Sequence, residues 1–139
     1  MEQSAELRDL TIRLYKAVET GDTATIERHV SRRQEALFIG TDPGEWWEGA
    51  EPFLRAMQAQ AEAMSGQIQL IPGHVRAYCE GSVGWAIDNG PTFRLPGGKE
   101  VTGRHTLVYH QEDGEWKVVH EHASFGVPNE AAIGEDVTA

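Results

Sequence analysis

Cysteine is almost absent: Cys79 is the only one in 139 residues. No internal disulfide can form, which fits a reducing compartment, so the cytoplasm is the expected location. The residue reads as a half-buried strand position rather than a reactive thiol. Long apolar runs are also missing. None approaches the roughly 18 residues that cross a bilayer. Met1-Glu2-Gln3-Ser4 has neither the basic nor the apolar region of a secretion signal, and no membrane role is expected. Positive charge is sparse, with 12 Lys and Arg against 22 Asp and Glu and a formal net charge of −10. Such a chain has no electrostatic footprint for nucleic acid or anionic lipid. Phosphate-cradling glycine motifs are lacking, so no organic cofactor is expected.

What is present is an ordinary globular composition, 40% apolar and 24% charged. The length suits one domain with its own core. Helix patterns fill the first half and strand patterns the second, which favours α+β over alternating α/β. Leu7, Leu10, Leu14 and Val18 recur at spacings of three and four. That predicts a helix from about Ala5 to Glu19, capped by Ser4 and ended by Gly21. Asp22 caps a second, short helix reaching about Val30. Ala36 to Ile39 reads as a short strand, broken by Asp42-Pro43-Gly44. Pro52 suits the first turn of a third helix from about Ala50. Its stripe is Phe53, Leu54, Met57, Ala61 and Met64, with the methionines read as core filling.

From Gln67 onward the period becomes two. Ile68 to Leu70 and Val75 to Cys79 are strands separated by Pro72-Gly73, an interruption that curves a sheet. Val83 to about Asn89, Thr92 to Leu95, Glu100 to Gln111 and Glu115 to Phe125 follow. The expectation is three helices over a curved antiparallel sheet of about four long strands, enclosing a pocket. Residues 1–128 form the domain, and residues 129–139 a loosely held tail.

The clearest element is a long β-hairpin from about Val101 to Phe125. Glu112-Asp113-Gly114 suits a three-residue loop with the glycine in the left-handed region. Gln111 then faces Glu115, and counting sets Leu107 opposite Val119 and His105 opposite Glu121. On the other face Val108 meets Val118, His110 meets Trp116, Thr106 meets His120 and Arg104 meets His122. A loop one residue shorter would invert these faces.

His105 with Glu121 is the sharpest chemical signal. A carboxylate beside an imidazole orients the ring, and in an enclosed site the pair can move a proton. A plain cross-strand polar pair is the structural alternative. His120 and His122 share the opposite face, but two imidazoles lack the third ligand of a catalytic zinc, and no metal is expected. Of Trp46 and Trp47, one is expected under the third helix and the other lining the cavity. Trp85 and Trp116 read as core or interface residues. Tyr15 can reach the cavity mouth or simply pack. Asp88, in an otherwise apolar strand, points either to water or into a polar cavity.

Two segments carry a family resemblance: Gly40-Thr41-Asp42-Pro43-Gly44-Glu45-Trp46-Trp47, and Asp113 through Ser124 (DGEWKVVHEHAS). Together with the element order they resemble the SnoaL-like branch of the nuclear-transport-factor-like superfamily, over about Leu7 to Pro128. The ending also resembles the association domain of calmodulin-dependent kinases. The resemblance implies a cone-shaped α+β roll, usually a homodimer through the sheet. Its relatives include ketosteroid isomerase, polyketide cyclases and scytalone dehydratase. Laid on the kinase domain, Asp88, Leu107 and Ala123 stand where that domain has pocket arginines, so an anionic ligand held that way is not expected. The superfold hosts many functions. The expected function is binding of a small, largely apolar organic molecule, with Glu121 as general base, His105 sharing its proton and Asp88 as a second acid. Tyr15, Trp46, Trp47, Leu107, Tyr109, Val119 and Ala123 are the expected ligand contacts. A non-catalytic binding or dimerisation module with the same pocket is the alternative.

Overall fold

The computed structural model describes residues 1–137. Helix α1 (Ala5–Thr20) starts at Ser4, whose side chain accepts the Leu7 amide at 3.2 Å. It stops where Gly21 turns left-handed at φ 70°, a conformation that glycine adopts without steric cost. Its inner stripe buries Leu7, Leu10, Thr11, Leu14 and Tyr15. Helix α2 (Thr23–Arg28) is capped by the Asp22 carboxylate. Helix α3 (Ala50–Met64) buries Ala50 and Phe53 against the same core. A fourth helix, α4 (Asn129–Ile133), lies in the segment expected to be a tail and buries nothing. Residues 138 and 139 of that segment lie outside the described residues.

The strands are β1 (Glu2–Gln3), β2 (Leu37–Ile39), β3 (Trp46–Glu48), β4 (Gln69–Ile71), β5 (Val75–Glu80), β6 (Val83–Arg94), β7 (Glu100–Glu112) and β8 (Glu115–Phe125). They form one sheet in the order β1-β5-β6-β7-β8-β2-β3, with β4 also on β6. The sheet is broader than the four strands expected. β2 runs parallel to β8, a pairing that no three-residue pattern announces. The helices cover the concave face, and the core between the layers holds Leu7, Leu10, Phe38, Phe53, Leu107 and Val118 among others.

Curvature enters at two places. β4 and β5 both pair with β6, and the chain steps between them at Pro72-Gly73. β6 shifts register between Asn89 and Thr92, so the two strands expected there are one bent strand. Gly73 sits inside this crossing. A Cβ on it would lie 2.6 Å from the Gly90 backbone and 2.7 Å from Asp88 Oδ1, and only glycine fits.

The hairpin exists, but its register differs from the count. Glu112 pairs with Glu115, so the turn is the two-residue Asp113-Gly114, with φ of 51° and 79°. Two positive φ angles are those of a type I′ turn, whose twist matches the strands. The slip of one residue brings Trp116 and Val118 inward, both buried, and turns Val119 away. The ladder then shifts again between Val108 and Tyr109, where β8 holds one extra residue, Val119. Beyond this bulge the total displacement is two, and a displacement of two restores the face. Glu121 therefore points inward as expected, yet it stands opposite Leu107, while His105 stands opposite Ala123.

Candidate functional site

Between α1, α3 and the concave sheet lies a cavity of about 430 Å³. Most of its wall is apolar, including Leu14, Val18, Phe53, Met57, Phe93 and Val118. Among the expected contacts, Tyr15, Trp47, His105, Leu107, Glu121 and Ala123 line it. Trp47 packs edge-on against Phe53 at 5.7 Å. Trp46 turns outward and is 58% exposed, because successive residues of β3 alternate faces. Val119 is displaced from the wall by the bulge, and Val118 takes its place. Tyr109 lies in the core beneath the wall rather than on it, its hydroxyl 2.8 Å from Thr11 Oγ1.

The polar part of the cavity is a short series of groups. Glu121 Oε1 is 3.1 Å from His105 Nε2. His105 Nδ1 is 2.9 Å from the Tyr15 hydroxyl, with the two rings stacked at 5.5 Å. Asp88 stands opposite His105 on β6, is 2% exposed, and does not line the cavity. Its Oδ2 accepts the Gly73 amide at 3.0 Å. Burial first, then the charge and hydrogen bonding of Asp88, then the charges of Glu121 and Tyr109 hold the Tyr15 phenol far above its ordinary value of 10. The hydroxyl therefore stays protonated and acts as a hydrogen-bond donor. Burial also raises the Tyr109 phenol, opposed by its Thr11 hydrogen bond.

Chemically, a carboxylate and an imidazole in contact inside an apolar wall can take and return a proton. The Glu121 side chain is 23% exposed and that of His105 12%, so an occupant of the cavity can reach Glu121. Among the described residues no group of three or more His, Cys, Asp or Glu is arranged to hold a metal ion. His120 binds the Leu37 carbonyl at 2.9 Å and His122 is exposed, both on the face away from the cavity. Among the described residues no helix is long and apolar enough to cross a membrane.

Residues 7–128 match the SnoaL-like domain. The chain belongs to the SnoaL-like domain family. No curated protein matches the sequence. An NTF2-like protein of unknown function from Pseudomonas putida KT2440 has a TM-score of 0.81 at 17% identity, over 97% of this chain and 94% of that one. A candidate ketosteroid isomerase from Shewanella frigidimarina gives 0.70 at 16% identity, over 84% and 92%. A candidate dehydratase of the NTF2-like family from Streptomyces avermitilis gives 0.73 at 17%, over 88% and 95%. At these identities the likeness is one of fold, and this SnoaL-like chain shares the helix-covered curved sheet of all three.

Several wall residues of the SnoaL-like cavity carry no marker in the sequence. Phe93 and Phe125, 6.0 Å apart and edge to face, come from a bent strand and a strand end. Alternation counted through the β6 bulge would have found Phe93. Thr41, Glu45 and Gln60 add polar atoms to the wall, and nothing in their local pattern marks them.

Proposed function

We propose that this protein binds a small, largely apolar organic molecule in its central cavity and that Glu121, with His105, moves a proton on it. The observation that carries the reading is the contact of 3.1 Å between Glu121 Oε1 and His105 Nε2 inside a wall that is otherwise mostly apolar. A cavity of about 430 Å³ falls in the usual range for small-molecule sites, roughly 300–1,000 Å³. The reaction type is proton abstraction beside a carbonyl, as in an isomerisation, dehydration or cyclisation. The names of the Shewanella and Streptomyces neighbours are consistent with that chemistry. Side chains alone can perform it, without an organic cofactor. The lone Cys79 accords with a cytoplasmic location.

The test is α-deuterium exchange of a bicyclic ketone, 2-decalone, followed by NMR. Native protein should accelerate exchange, and Glu121→Gln should lose about 100-fold or more of that acceleration, the usual contribution of a positioned base. Binding of the ketone, measured separately by calorimetry, should survive the substitution. Equal rates for native protein, variant and buffer would refute proton transfer. Binding without exchange would leave a ligand-binding module of the same fold.

We also propose a homodimer through the outer face of the sheet. Tyr78, Trp85, Ile87, Val108 and Val119 are only half-buried there, and the rings of Tyr78 and Trp85 pack at 4.8 Å.

A further inference from the structure

We propose that the ligand of this cavity carries an unbranched alkyl chain, whose end lies in a recess between α1, α2 and α3. The recess continues the cavity: Val18, Ile26, Met57 and Met64 wall both. Gly21 and Ala61 line the recess alone. Both are small, and they leave space that larger side chains would fill. The volume there is about 30 Å³, enough for about two heavy atoms at the roughly 10–15 Å³ that a water needs. A chain end fits, and a ring does not. Beyond Gly21 the helices close. A Cβ on Gly21 would lie 2.6 Å from Ser65 Oγ, and the Ser65 hydroxyl donates to the Thr20 carbonyl at 3.0 Å.

The spacing suits one molecule with a polar head and an apolar body. Tyr15 stands with His105 and Glu121 in the polar part of the cavity. Gly21 follows Tyr15 by six residues. At about 1.5 Å of rise per helical residue, the two levels are about 9 Å apart along α1. Leu14, Val18 and Met57 make the wall apolar over that span. A head held at Glu121 therefore needs a slender apolar body to reach the recess. Methionine walls suit such a body, because their unbranched, polarisable side chains adapt to a flexible chain. The sheet side of the cavity is different. Phe93 and Phe125 stand edge to face there at 6.0 Å, and Phe125 is 38% exposed. A chain end on that side keeps part of its surface in water, whereas three helices surround it in the recess.

This ligand class rests on the proton-transfer reading of Glu121 and His105 for its ketone head, and on the recess for its chain. The probes are 2-heptanone, 2-nonanone and 2-undecanone, with binding measured by calorimetry and α-deuterium exchange by NMR. In native protein the affinity should rise about fourfold for each added methylene, the effect of removing one CH2 group from water. Ala61→Leu fills the recess with a residue that suits a helix. It should weaken 2-undecanone about 15-fold, the loss of two buried methylenes, and leave 2-heptanone unchanged. A flat series overturns the proposal, as does a loss that is absent or equal for the two ketones. Nuclear Overhauser contacts in native protein supply a second arm that no folding defect can imitate. The terminal methyl of 2-undecanone should meet Ala61 and Met64, and contacts with Phe93 and Phe125 instead overturn the proposal. A chain seated in the recess without exchange sinks the proton-transfer reading alone. Exchange with the chain seated elsewhere sinks the recess alone. Absence of binding overturns both.

Discussion

Single residues decide which polar groups the core can hold. Thr11 is fully buried, and its hydroxyl hydrogen goes to the Leu7 carbonyl at 2.8 Å. The Tyr109 hydroxyl must therefore donate to Thr11 Oγ1. Thr11→Val keeps the shape and leaves that phenol buried without a partner. The expected loss of stability is about 1–3 kcal/mol in urea unfolding. Adding Tyr109→Phe should return part of it, because the orphaned group is then gone. Neither residue advertised this pairing, since a threonine in a helical stripe and a tyrosine in a strand look like packing. His105 and Glu121 were set together by counting the hairpin, and they still meet because the two slips in register cancel in facing. Asp88 was expected in water or in the cavity and is instead buried off the cavity wall. Trp46 and Trp47 remained a pair of alternatives until β3 was seen to alternate them.

At the scale of elements, end-to-end ties matter as much as stripes. Glu19, near the end of α1, accepts Lys16 at 2.6 Å and the Leu70 amide at 3.0 Å, joining the helix to β4. The Lys16 hydrogen bond first, then the Leu70 amide, lower its carboxyl below the ordinary 4.5. A lowered folded value means that its contribution is complete above the unfolded value and fades as pH falls through the folded one. Urea unfolding across about pH 3 to 6 should therefore show a steeper acid loss in native protein than in Glu19→Gln, with parallel curves near neutrality. Indistinguishable acid slopes would mean the tie is absent in solution. The first three helices were readable to within two residues from capping and spacing, whereas α4 falls in the segment expected to be a tail. The hairpin register was not, because Asp113-Gly114 supports loops of two or three residues and a bulge leaves no mark in an alternating pattern.

The whole molecule was legible as an α+β fold and as a layered shape with a hollow between the layers. The breadth of its sheet was not: β2 was expected as a short strand, but nothing in the pattern announced its parallel pairing with β8 or the added strand β3. The outer face offers apolar side chains that one copy leaves half-buried. Sedimentation at micromolar concentration should give twice the 15.4 kDa of the chain, and Val108→Glu should halve that mass. A native monomer at that concentration would remove the dimer.

The extra residue in β8 has an implication for how this hairpin can change length. Val118 and Val119 are identical neighbours, so removing either gives the same shortened chain. The remaining valine would stay opposite Tyr109 and His120 opposite Val108, the pairs already made on either side of the bulge. Glu121 would keep its place opposite Leu107, and only the local bend would relax. The hairpin thus carries one spare link, and losing it does not turn the site inside out.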